Sequence, residues 1–144
     1  MHVVVDGNGV PLAAKVTPGQ AHESKHLEGV LEAVRLKRSG GRTLRRPRRL
    51  AGDKGYSYPR IRRYLRRRGI RAIIPRRKDQ RASSRPFDKE SYRRRNMIER
   101  CVGWLKESRR LATRYEKLAV NFLAMIKLAM IRRCLRLLDS PDRT

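Results

Sequence analysis

The sequence predicts an α/β protein in which a mixed sheet is flanked by helices. Three observations point there. An apolar run at Val3-Val4-Val5 is joined to a second, Val10 to Val16, by Asp6-Gly7-Asn8-Gly9. Two shorter apolar runs, Leu50-Ala51 and Ile70 to Ile74, are separated by a segment of helical periodicity. Elsewhere apolar residues recur every three or four positions, as on one face of a helix. The resulting order is β-β-α-β-α-β-α-α. Strands linked through a crossover helix pair in parallel, whereas a hairpin is antiparallel, so the sheet is expected to be mixed.

Each element has its own justification. Gly and Asn at positions 7 to 9 supply the positive φ of a tight hairpin turn, and Thr17-Pro18-Gly19 closes the hairpin. Leu27, Val30, Leu31 and Val34 follow the i, i+3, i+4, i+7 pattern of an amphipathic helix from about Ser24 to Lys37. Ser39 to Pro47 reads as a basic loop. Arg48 to Gly52 is a short strand ending at Asp53. Ser57 is a candidate cap for a helix with Pro59 in its first turn, Ile61 and Leu65 inward and Gly69 as its stop. Ile70 to Ile74 is the next strand, ended by Pro75, and a polar loop follows to Pro86. A helix is expected from Asp88 to about Arg110, and a last one from Asn121 to Leu138.

Charge narrows the partners. The 144 residues carry 38 Lys+Arg, 29 of them Arg, against 13 Asp+Glu, a net charge of +25. Residues 35–114 account for +24 of it. A surplus this local makes a polyanion the default partner, because Lys and Arg displace counterions from a phosphate backbone. Cys101 and Cys134 have no CxxC spacing, which excludes a disulfide framework and a cysteine zinc cluster and fits a reducing compartment. No basic stretch followed by an apolar run marks a signal peptide. The greasiest stretch, Phe122 to Ile131, is interrupted by Lys127 and shorter than the roughly 20 residues of a spanning helix. The expectation is a cytoplasmic protein without a membrane partner.

Three constellations carry potential chemistry. His22-Glu23-Ser24-Lys25-His26 matches H-E-x-x-H, but it lies at a helix start with no later His as third ligand, so zinc hydrolysis is the weakest reading. Asp53, flanked by Gly52 and Gly55, stands at the carboxyl end of a strand expected to be parallel, where such sheets bind ligands; an ordinary strand-to-helix turn would also use it. Tyr92, Arg95, Glu99 and Lys106 fall within about 60° of arc on one continuous helix, at ~100° per residue. Arg95 and Glu99 are also a plain i, i+4 pair, so spacing alone leaves site and surface equally open.

At these residues the chain resembles a known family. Tyr92-x2-Arg95-x3-Glu99-x6-Lys106 has the spacing of the signature of the IS4/IS5-type insertion-sequence transposases, the DDE class. Residues 87–129 resemble the C-terminal part of the IS5 group, 48–81 the segment with the second catalytic Asp, and 2–24 the hairpin before it. The resemblance implies an RNase H-like fold, with residues 1–112 a partial catalytic domain and 113–144 a helical segment packed on it. It implies Asp53 and Glu99 as catalytic carboxylates and metal ligands, in a site that takes two divalent ions, Mg²⁺ or Mn²⁺. Arg95 and Lys106 would hold phosphates and Tyr92 would contact DNA, with Lys54, Arg76, Arg77 and Lys78 as further DNA contacts. The implied partners are transposon ends and target DNA in the bacterial nucleoid, with an oligomer compatible.

The chemistry suits these residue types. Strand cleavage and transfer are in-line phosphoryl displacements, and two metal ions activate the nucleophile and stabilise the leaving oxygen. Hard cations take carboxylate oxygens. The family's first catalytic Asp lies upstream of the hairpin with which this chain begins, and Asp6 is accounted for by its turn. The expectation is therefore the C-terminal part of a transposase, a truncated copy or one frame of a split gene. It would lack one metal ligand, be inactive alone, expose a sheet edge and depend on an upstream fragment. The rival expectation is a basic nucleic-acid-binding protein without catalysis.

Overall fold

The computed structural model describes residues 1–18, 22–37, 41, 43–44, 46–80 and 86–139. It is α/β and divides into two compact units, Met1–Gln20 with Asn96–Thr144, and Ala21–Arg95.

In the first unit, β1 (His2–Val5) pairs antiparallel with β2 (Pro11–Lys15), with a shift of register between Val4 and Val5. Asp6 organises the turn between them. Its Oδ1 accepts from the backbone N–H groups of Asn8 and Val10, each at 2.8 Å, and Gly9 takes φ +81°. The helical part comprises α4 (Asn96–Lys106), α5 (Arg109–Ala112) and α6 (Ala119–Asp139). Cys101, Leu105, Leu111, Phe122 and Ile126 form a buried core, with Val3, Val5, Ala14 and Val16 of the hairpin packed on it. The inward residues Cys101 and Leu105 of α4 are one turn apart, as are Phe122 and Ile126 of α6, so each helix shows one apolar stripe to the hairpin.

In the second unit, α1 (Leu27–Glu32) is shorter than the expected Ser24–Lys37 helix. A 3-10 turn, Glu23–Lys25, precedes it, and Arg35 donates from Nη1 to Glu32 O, the last carbonyl of α1, and to Val34 O just beyond it. The released chain, the end of the expected helix, forms β3 (Leu36–Lys37), which pairs antiparallel with β4 (Thr43–Leu44) from the expected basic loop. Part of that loop, like part of the stretch from Arg76 to Pro86, lies outside the described residues.

The element that positions the site is a parallel pair. β5 (Arg49–Ala51) and β6 (Arg71–Ile73) pair in register, Arg49 to Arg71 and Ala51 to Ile73. The crossover between them is α2 (Pro59–Arg67), which packs on β6 with Ile61, Tyr64 and Leu65 buried. Gly69, at φ +66°, closes α2: its N–H donates to Arg66 O while that of Ile70 donates to Leu65 O, a Schellman ending that favours glycine. Parallel and antiparallel pairing both occur as expected. Among the described residues, however, the strands form three two-stranded ladders rather than one mixed sheet.

The helix expected from Asp88 to Arg110 is three segments. α3 (Lys89–Arg93) ends at Arg94, and the N–H of Arg95 donates to Tyr92 O three residues back, a tightened turn that stops propagation before α4 begins. Ser108 then separates α4 from α5.

Candidate nucleic-acid interface

Asp53 lies two residues beyond the end of β5, where the chain leaves the parallel pair. Its backbone is extended, and its Oδ1 accepts the N–H of Gly55 at 2.8 Å, capping the 3-10 turn Lys54–Tyr56. The Gly52 N–H donates to Ile73 O at 3.3 Å and ties this turn to the pair. The carboxylate is half-buried. Hence the Asp does make the strand-to-helix turn, and that task occupies one of its oxygens.

The chain leaving β6 returns to the same place. Arg77 donates from Nε to Lys54 O at 3.4 Å and from Nη2 to the Tyr58 hydroxyl at 2.9 Å, and its guanidinium lies 4.4 Å from the Tyr58 ring centroid. Arg76 and Lys78 are exposed on either side. Four sequence-predicted contacts, Lys54, Arg76, Arg77 and Lys78, are thus gathered with Asp53 at the carboxyl ends of two parallel strands. The carboxyl ends of parallel strands are where open α/β sheets take ligands.

A buried polar knot fixes the loop. Ser57 is wholly buried; its Oγ donates to Gln80 Oε1 at 2.8 Å and accepts from Arg62 at 2.9 Å, while Gln80 Nε2 donates to Ser57 O at 2.6 Å. Arg62 also donates to the carbonyls of Ile74 and Pro75. Burial, and then Arg76, lowers the Arg62 guanidinium pKa from its ordinary value. Ser57 therefore does not cap α2; Tyr58 holds that position without a side-chain bond. Sequence reasoning missed this knot, because a Ser before a Pro reads most simply as a cap.

Outside the knot, α2 turns Arg63, Arg66 and Arg67 to solvent while Arg60 pairs with Glu28 and Arg68 with Glu32 at 3.8 Å. Residues 21–95 carry a net charge of +19. Asp88 has a different task at the other end of the pair. It caps α3 through the Ser91 N–H at 2.9 Å and pairs with Arg71 at 3.4 Å and Arg49 at 3.9 Å, register partners on β6 and β5.

The four-residue signature is not one helical stripe. Tyr92 and Arg95 lie on and just after α3, with the Arg95 guanidinium 5.6 Å from the Tyr92 ring and Phe87 edge-on to that ring. Glu99 and Lys106 lie on α4, both exposed and two turns apart on one face, with Gly103 between them. The break at Arg94–Arg95 is the reason: a 3.6-residue period cannot be carried across a non-helical turn. Asp53 belongs to one compact unit and Glu99 to the other.

The H-E-x-x-H segment spans a 3-10 turn and the start of α1 rather than one helix. His22 is engaged at both ring nitrogens, by the Tyr58 hydroxyl at 2.7 Å and the Ser24 hydroxyl at 3.0 Å. Among the described residues no three His, Cys, Asp or Glu side chains converge as a metal-holding group, and no helix is long and apolar enough to cross a membrane.

The transposase DDE domain family model matches residues 1–134. A Burkholderia cepacia protein named as a transposase for insertion sequence element IS402 is 33% identical over 144 residues. That stretch is 99% of this chain and 65% of the relative's length. No solved structure matches. With a family match covering nearly the whole described chain, this protein belongs to the transposase DDE domain family.

Proposed function

We propose that the chain acts within an IS5-like DDE transposase, binding DNA and supplying two carboxylates to its metal site. The reading takes residues 1–112 as part of an RNase H-like catalytic domain and 113–144 as its helical extension. The observation that carries it is the placement of Asp53 at the carboxyl end of a parallel pair, amid Lys54, Arg76, Arg77 and Lys78.

The residues fit a divalent cation in part. Asp53 keeps Oδ2 without a described partner while Oδ1 holds the turn, so it has one oxygen to give, and Glu99 is a second, exposed carboxylate. Mg²⁺ or Mn²⁺ takes such oxygens. Two carboxylates are fewer than the three that the family resemblance implies, and the described residues contain no convergent trio. We assign Asp53 and Glu99 as ligands on that basis and derive no cleavage step for this chain alone. When bound, such ions would activate the attacking oxygen and stabilise the leaving one. The chain's own cations do the rest: Lys54, Arg76, Arg77, Lys78, Arg95 and Lys106 neutralise phosphates, and Tyr92 packs against the backbone. Such contacts position a duplex and carry no sequence information.

The test is incubation of the purified chain with supercoiled DNA in Mg²⁺ or Mn²⁺. The expected result is salt-sensitive binding without nicking. Nicking that persists in Asp53→Ala would contradict the assignment of Asp53. Nicking that vanishes in that variant would support the site and overturn the inactivity. One rival is a basic DNA- or RNA-binding protein without metal chemistry, favoured by the net charge of +25, whose affinity would be indifferent to Asp53→Asn and Glu99→Gln.

A further inference from the structure

We propose that His22 is a positioning residue for DNA binding: through the Tyr58 hydroxyl it holds the Arg77 guanidinium in place for a backbone phosphate. The inference rests on the reading of Arg77 as a phosphate contact and adds the two side chains that set it. Arg77 Nη2 donates to Tyr58 Oη at 2.9 Å, and Tyr58 Oη lies 2.7 Å from His22 Nε2. His22 Nδ1 in turn lies 3.0 Å from Ser24 Oγ. The row joins residues 36 and 19 positions apart, all within one compact unit.

The direction of the row follows from its end member. A guanidinium only donates, so the Tyr58 oxygen accepts from Arg77 and its own hydrogen must go elsewhere. Among the described residues its acceptor is His22 Nε2. That nitrogen is therefore unprotonated, and the ring hydrogen sits on Nδ1, where the buried Ser24 hydroxyl receives it. The Ser24 N–H, 3.4 Å from the same Nδ1, is beyond the usual range and does not compete. At the far end Arg77 is held a second time, by its Nε on Lys54 O at 3.4 Å, with the guanidinium 4.4 Å from the Tyr58 ring centroid. Its Nη1 has no hydrogen-bond partner among the described residues and is left for a phosphate oxygen. A long side chain fixed in advance loses less freedom when it meets its ligand, so the row raises affinity without touching DNA itself. Without the acceptor at His22 the Tyr58 hydroxyl turns freely and Arg77 loses one of its two anchors. The first His of the H-E-x-x-H segment thus has a task that needs no metal.

The affinity of the whole chain for a short duplex, measured in EDTA from about 50 to 200 mM salt, tests this. Arg77→Ala should weaken binding several-fold and flatten the log–log salt slope by about 0.9, the share of one phosphate. Tyr58→Phe, which keeps the ring, and His22→Ala should each move affinity and slope in the same direction. Neither should add to Arg77→Ala in a double variant. His22→Gln, whose amide oxygen can take the place of Nε2, should restore the slope. In ¹⁵N-labelled protein the wild-type His22 ring should be the Nδ1–H tautomer, and Tyr58→Phe should release it to the other. A plain brace between the two turns would weaken both backgrounds equally, and that result would overturn the proposal. So would an Nε2–H tautomer in the wild type, or Tyr58→Phe leaving the slope unchanged while Arg77→Ala lowers it. Binding indifferent to Arg77→Ala would overturn the reading of Arg77 as well.

Discussion

Ser57 illustrates how much one small residue settles. Its buried hydroxyl serves Arg62 and Gln80 at once, and so ties the loop carrying Arg76 to Lys78 onto α2. Ser57→Ala leaves those partners unsatisfied, and chemical denaturation should show a loss of about 1–3 kcal/mol. Asp88 gives a pH signature. Hydrogen bonds from the Ser91 backbone and hydroxyl, outweighing partial desolvation and joined by Arg71 and Arg49, hold its carboxyl below the usual range. The stability it confers is therefore full above the unfolded carboxylate pKa and lost as pH falls through the lower folded value. Asp88→Asn should lower the melting temperature at neutral pH, and the gap to wild type should close in acid. Gly103 gives the opposite sign. A Cβ there meets nothing within 4 Å, so Gly103→Ala should stabilise α4 by about 1 kcal/mol in a thermal melt. The thiols differ as well: burial pushes Cys101 above its ordinary pKa, so alkylation should modify Cys134 first.

At the scale of elements, legibility followed locality. The hairpin was legible because Asp6-Gly7-Asn8-Gly9 encodes its own turn, and β5, α2 and β6 because Pro59 and Gly69 punctuate a clean apolar period. The break after α3 was not legible. Arg93-Arg94-Arg95-Asn96 contains no Gly or Pro, and the stop is a single tightened hydrogen bond from Arg95 to Tyr92 that leaves no compositional trace. The early end of α1 was hidden likewise, since Arg35 caps carbonyls by a side-chain reach that periodicity does not report. Asp53 was found because an acid between glycines at a strand end is a local signal. Its cations Lys54, Arg76, Arg77 and Lys78 were named in sequence, but their gathering was not legible, because Arg77 reaches Lys54 across 23 positions. The same locality predicts the effect of deleting core atoms: Leu65→Ala should cost about 2–5 kcal/mol, whereas Arg66→Ala on the outer face of α2 should leave stability nearly unchanged.

For the whole molecule, the charge surplus becomes a statement about placement. Ala21–Arg95 holds 26 of the 38 basic residues, and its parallel pair gathers several of them around Asp53. If about five of them meet phosphates, affinity for duplex DNA should fall on the order of 10²–10³-fold between 50 and 200 mM salt. Family membership rests on the match over residues 1–134, to which the motif spacing pointed although the four residues do not share one helix.

The central claim is that Asp53 takes a divalent cation beside bound phosphate, and the affinity of wild type and Asp53→Asn for a short duplex, in EDTA and in Mg²⁺ at matched ionic strength, tests it most directly. An ionised Asp53 without metal repels phosphate, so in EDTA the Asn variant should bind at least as tightly as wild type. Mg²⁺ should then strengthen wild-type binding several-fold and leave the variant unmoved. Equal weakening of both proteins by Mg²⁺, as simple competition for phosphates would give, contradicts the account.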